Sequence, residues 1–145
     1  MEQLEGNARR QEQVIWCAGF FDGEGCIWFC NPGSGNRHGN LAVQVGQRII
    51  EPLYAFQELW DGTIQPPNHN RSTYLWLRYS RNAGKVLEEM LPWLRVKHSQ
   101  AVLAIEYCTL VERVGARSGP GNGVSEEVTA RRLAIAAEIK SLKRP

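Results

Sequence analysis

Apolar positions along this chain switch from crowding to alternation to helical spacing. Between Gln11 and Phe21 they crowd: Val14, Ile15, Trp16, Cys17, Ala18, Phe20 and Phe21 leave no polar face. That density predicts a helix over 11–21 that is buried on every side. After Gly25 the period becomes two. In "CIWFCN", Ile27 and Phe29 alternate with Cys26, Trp28 and Cys30. "NPGSGNRHGN" (31–40) reads as a glycine-rich loop, and "LAVQVGQRI" resumes alternation. There Leu41, Val43 and Val45 share one face, and Ala42, Gln44 and Gly46 the other. The whole predicts a β-hairpin with a long tip.

Pro52 suits the first turn of a helix carrying Leu53, Phe56 and Leu59/Trp60, which Asp61-Gly62 ends. "GTIQP" and "STYLWLRYS" then flank a Pro/Asn/His loop at 66–71, a second hairpin. Its alternation suggests that Leu75, Leu77 and Tyr79 face the core and that Tyr74, Trp76 and Arg78 face outward. Asn82 can cap a helix bearing Ala83, Val86, Leu87 and Met90, with Pro92 beyond it. A longer helix is expected from about Lys97 to Arg113. "GARSGPGNG" (115–123) is a connector, and Ser125 caps a last helix with Glu126 and Glu127 at its start and Lys140, Lys143 and Arg144 at its end. The expected fold is α+β, with an α-β-β-α-β-β-α core of about 12–112. A four-stranded antiparallel sheet has helices on one face, and a C-terminal helical extension covers about 124–143. All 145 residues make one domain.

Composition changes this picture only through its distribution. Net charge is +2, from 17 basic and 15 acidic residues, too mild to point to nucleic acid by itself. Yet residues 25–50 and 62–87, the two predicted hairpins, contain none of the acids. They carry Arg37, Arg48, Arg71, Arg78, Arg81 and Lys85, with His38 and His69. A sheet rich in Arg, Gln and Asn, with aromatics and no acids, suits a duplex: cations meet phosphates, and Arg, Gln and Asn meet base edges. A merely solvated sheet is the plainer alternative. The N-terminal segment is polar, and the run Val14–Phe21 is far below the ~20 residues of a membrane span. An intracellular protein is expected, with cytoplasm and organelle matrix equally open.

Cys26 and Cys30, four apart in a strand, stand roughly 13 Å apart at ~3.3 Å per residue. One tetrahedral zinc, with Zn–S near ~2.3 Å, does not span that. The acids of "WCAGFFDGEG" (16–25) pose the sharper question. In a plain helix end, Gly23 and Gly25 would supply positive φ, and Asp22 and Glu24 would face water. Carboxylates are unfavourable at the negative end of a helix, and a divalent cation would compensate them. Gly19 and Gly23 lie four apart on one helix face, a spacing that lets two helices approach closely. The natural partner is the same helix of a second copy, which would bring two Glu24 side chains together.

At this point the sequence resembles the LAGLIDADG homing endonucleases. "CAGFFDGEG" (17–25) is similar to their nine-residue signature, and "LPWLRVKHSQA" (91–101) to a looser second stretch. A single signature implies a homodimer, its interface here being Trp16, Gly19, Phe20 and Gly23. The resemblance implies a saddle-shaped sheet in the major groove of a long double-stranded DNA site. It also implies Mg²⁺-dependent cleavage of both strands with short 3′ overhangs, Mn²⁺ or Ca²⁺ fitting the same site. Glu24 would be the metal-binding acid and the Gly23 carbonyl a weaker ligand. Gln47 would position water, and Lys97 would be the basic residue of the pocket. Some relatives carry an Arg four residues after the Gln, where this chain has Glu51; Arg48 is the substitute. Asp22 is read as structural. The DNA contacts expected are Trp28, Cys30, Arg37, His38, Asn40, Gln44, Gln65, Arg71, Tyr74, Trp76 and Arg78. Other readings of the same fold are an intron maturase, which would bind RNA, and a non-cleaving DNA-binding regulator.

Overall fold

The computed structural model describes residues 1–30, 40–114 and 126–143, the side chains of 111–114 excepted. The elements in order are α1 (Glu2–Glu24), β1 (Gly25–Cys30), β2 (Asn40–Gln47), α2 (Glu51–Trp60), β3 (Thr63–Gln65) and β4 (Tyr74–Tyr79). Then come α3 (Ser80–Met90), a 3-10 turn (Leu91–Trp93), α4 (His98–Val114) and α5 (Glu126–Leu142). This is the expected α+β order. Arg37, His38, the 115–123 connector, the Ser125 cap and Arg144 lie outside the described residues.

Helix α1 is more than twice as long as the apolar run that predicts it. Its polar N-terminal half is held by Arg10, which donates two hydrogen bonds to the Glu89 carboxylate of α3, at 2.9 and 3.0 Å. Within the protomer only one stripe is buried: Val14, Cys17, Ala18 and Phe21, the i, i+3, i+4, i+7 face of a helix. The expectation of burial on every side is corrected here, because Ile15, Trp16 and Gly19 stay exposed. Burial pushes the Cys17 thiol up to about 12, so it is an inert core group. All four cysteines are free.

The strands form one antiparallel sheet in the order β1-β2-β4-β3. Its register fixes both faces. Ile27, Val43 and Arg78 form one cross-strand row, and Val45, Trp76 and Ile64 another. These rows lie under the helices, where Leu41, Val43 and Val45 join Leu53 and Phe56 of α2, Val86 and Leu87 of α3, and Ala101 and Ala104 of α4. The opposite face carries the rows Trp28–Ala42–Tyr79, Cys26–Gln44–Leu77–Thr63 and Gly46–Leu75–Gln65.

Strand β4 therefore presents the reverse of the expected faces. Tyr74, Trp76 and Arg78 point to the helices, and Leu75, Leu77 and Tyr79 to the open side. Helix α2 decides this. Trp76 is fully buried, with its ring 5.0 Å from Phe56 and 6.3 Å from Trp60, and its indole N–H donates to the Asp61 carbonyl at 2.8 Å. The turn that offers this carbonyl needs positive φ at Asp61 (56°) and Gly62 (100°). A side chain at Gly62 would meet the Leu77 carbonyl at 2.7 Å and the indole nitrogen at 2.8 Å, so glycine is required there.

At the other side of the sheet, α5 packs on α4 and closes the edge strand β1. Ile135 and Ile139 enter the core. The Arg132 guanidinium lies 5.0 Å over the Tyr107 ring and donates to its hydroxyl at 3.0 Å. Lys143 donates to the Ile27 carbonyl, covering an edge that would otherwise be open to strand pairing. Among the described residues, no helix is long and apolar enough to cross a membrane.

Candidate active site

The site is built on the way α1 ends. Asp22, in its last turn, turns its carboxylate onto the segment before α4. It accepts hydrogen bonds from the backbone N–H of Arg95 at 2.7 Å and of Lys97 at 2.9 Å. Burial pushes the Asp22 carboxyl up. The N–H groups of Arg95, Lys97 and Val96 and the Lys97 charge outweigh this and hold it below the ordinary aspartate value. Lys97 completes the clasp: its Nζ donates to the Asp22 backbone carbonyl at 2.7 Å. That carbonyl is one of the unpaired acceptors of a helix C-terminus, so the cation sits where the dipole favours it.

Gly25 holds the next step. Its N–H still donates to the Phe21 carbonyl, but its backbone is extended, with φ −82° and ψ 167°. Any side chain at Gly25 would run into the Phe21 ring, so glycine is kept by close approach and not by positive φ. Neither Gly23 nor Gly25 has positive φ, which corrects the plain helix-end account. Between them, Glu24 is exposed and makes no hydrogen bond or ion pair with any described residue. Of the two acids, one is consumed by structure and one is free.

A lone carboxylate with an exposed glycine beside it is a donor set of hard oxygens, which suits Mg²⁺, Mn²⁺ or Ca²⁺. Among the described residues no three His, Cys, Asp or Glu side chains come together to hold a metal ion. Gly25 pairs with Val45, and Gln47 stands two residues beyond it, so the ends of α1 and β2 meet at one margin of the sheet. Arg48 follows, exposed in a bend. Glu51 begins α2, where a carboxylate complements the helix dipole.

The expected nucleic-acid contacts divide by face. Trp28, Asn40, Gln44 and Gln65 are on the open face. Cys30 shares it but is buried, its thiol donating to the Asn40 carbonyl at 3.4 Å. Arg71 is turned back onto its own loop, donating to the carbonyls of Thr73 and Pro66 at 2.9 and 2.8 Å. Tyr74, Trp76 and Arg78 are on the helix side, and the open positions belong to Thr63, Leu75 and Tyr79. Sequence alone passed over these three; the pairing of Gln65 with Leu75 is the signal that finds them.

On the outer side of α1, Trp16 and Phe20 stack at 5.1 Å between centroids. Trp16 is 50% exposed although it is a large aromatic group, and a Cβ at Gly19 or Gly23 would meet nothing within 4 Å. The stripe expected to meet a second copy is thus open.

A four-stranded antiparallel sheet with helices on one face, in this order, is a fold shared with homing endonucleases of known structure. Three comparisons make this specific. I-CvuI in complex with its Sro1.3 target and 2 mM Ca matches with a TM-score of 0.74 at 19% identity, over 94% of this chain and 85% of that one. The archaeal intron-encoded I-Vdi141I, complexed with DNA, gives 0.71 at 17% identity over 89% and 82%. I-TnaI gives 0.63 at 21% identity over 90% and 93%. No family model and no curated protein matches the chain.

Proposed function

We propose that this chain is a site-specific homing endonuclease. It works as a homodimer with divalent metal ions and hydrolyses both strands of a long DNA site, leaving short 3′ overhangs. One observation carries the reading: Glu24 is exposed and free at the end of a helix that its neighbour Asp22 anchors to the segment before α4. A merely structural helix end has no use for a second, uncompensated acid. The fold shared with DNA-bound homing endonucleases supports the same conclusion.

The second protomer joins through Trp16, Gly19, Phe20 and Gly23, and its two-fold axis brings the two Glu24 carboxylates together. Glu24 and the Gly23 carbonyl would hold the ion. A bound divalent ion supplies a more acidic water and neutralises charge on a phosphodiester. Lys97, fixed by Asp22 beside that centre, offsets charge on the phosphate. Arg48 does so from the end of β2, and Gln47 orients the attacking water. The test is cleavage by the Glu24→Gln variant. This substitution keeps the shape and removes the charge, so cutting should be lost while specific binding remains. Cutting at the wild-type rate would overturn the assignment.

A further inference from the structure

The open face of the sheet is electrically unlike its surroundings. Among the described residues, none of its strand positions carries a charge. Arg48 stands just beyond the end of β2, and the Lys143 amino group lies 3.5 Å from the Cys26 sulfur at the β1 edge. Arg48 and Lys143 thus flank a neutral platform, with the exposed acids Glu24 and Asp61 at the ends of α1 and α2. That distribution matches a duplex laid across the sheet, with phosphates at the margins and bases over the middle.

The platform also lacks the groups that read guanine. Arg and Lys are the usual partners of guanine O6 and N7, and no strand position here has either. What it offers is amide and apolar. Gln44 and Gln65 are half-buried on this face, and a Gln side chain pairs with adenine N6 and N7. Leu75 lies across Gly46, where a Cβ would meet its Cδ2 at 3.0 Å, so the missing side chain is what lets it spread there. Tyr79 is 42% exposed four residues along the same strand. Ala42 and Leu77 fill the sheet surface beneath them and are buried.

We infer that the strands read A·T pairs: Gln44 and Gln65 meet adenine edges, and Leu75 and Tyr79 pack on thymine C5-methyl groups. The target is therefore A·T-rich where the sheet lies on it. This rests on the endonuclease reading and deepens it. The reversed faces of β4 carry the argument, because the opposite register would have presented Arg78 and a guanine preference.

The experiment has two arms. Sites bound by the wild-type protein are selected from a randomised duplex library. Each thymine of a selected site is then replaced by deoxyuridine, which lacks only the C5-methyl. Selected half-sites should be A·T-rich over the sheet. Removing a contacted methyl should weaken binding about four-fold, the worth of burying one such group. Leu75→Ala should abolish that sensitivity at one position of each half-site, and Leu75→Arg should move the preference there toward guanine. Sensitivity to other positions confirms in the same assay that each variant is folded. Tight binding to sites with G·C at these positions, or equal binding of the deoxyuridine duplexes, overturns the inference and leaves the endonuclease reading intact. Failure to retain any duplex overturns that reading and this inference with it.

Discussion

Asp22 and Glu24 are two residues apart and have opposite tasks. Asp22 spends its carboxylate on Arg95 and Lys97, and through them sets where the Lys97 amino group sits. Asp22→Ala should destabilise the fold by about 1.5–3 kcal/mol, the worth of hydrogen bonds to a charged group. The sign of the pH dependence follows from its lowered folded pKa. The contribution is complete above the unfolded aspartate value, near ~3.9, and is lost as pH falls through the folded value. Chemical denaturation should therefore show a gap between wild type and variant at pH 7 that closes in acid. A gap of the same size at both pH values would contradict this. Glu24→Gln should leave stability unchanged and reduce cleavage by about 100-fold or more, as expected when a group that stabilises developing charge is removed. Lys97→Ala should slow cutting equally at every site, because the role proposed for it is to offset phosphate charge and not to touch a base.

At the scale of elements, one glycine within α1 and one just past its end separate fold from assembly. Gly25→Ala forces a methyl into the Phe21 ring and should cost about 1–3 kcal/mol by overpacking. Gly19→Leu meets nothing in the protomer, so its melting should be near normal while the dimer weakens; sedimentation at micromolar concentration reads this directly. The faces of β2 were legible because its large apolar residues, Leu41, Val43 and Val45, occupy one parity only. Those of β4 were not, since Tyr, Leu, Trp and Leu make both parities apolar and period two cannot choose. The aromatic bed of Phe56 and Trp60 chose. The N-terminal half of α1 was missed for a different reason. Its Glu, Gln, Arg and Leu are good helix formers, but they carry no periodic apolar signal. The Asp22 clasp joins residues 73 and 75 positions apart, a distance across which no local pattern speaks. Glu24 stood out in the sequence as a candidate because an acid at the negative end of a helix needs a reason.

For the whole molecule, the chain offers one half of each thing the proposed reaction needs: one free acid, one open helix stripe and one neutral platform flanked by Arg48 and Lys143. In the proposed homodimer a two-fold axis at α1 would double all three. Gln44→Ala should then relax base preference by ~1–3 kcal/mol at one position in each half-site, symmetrically. Trp76→Ala should cost about 3–5 kcal/mol of stability and leave preference unchanged, since the ring is core. The most direct measurement is recovery of double-strand ends from a randomised duplex library incubated with purified protein and Mg²⁺, for the wild type and Glu24→Gln side by side. The account predicts paired cuts with 3′ overhangs in two-fold related half-sites from the wild type, and intact, still-bound duplex from the variant. Equal cutting by both proteins, or no double-strand ends from the wild type, would contradict it.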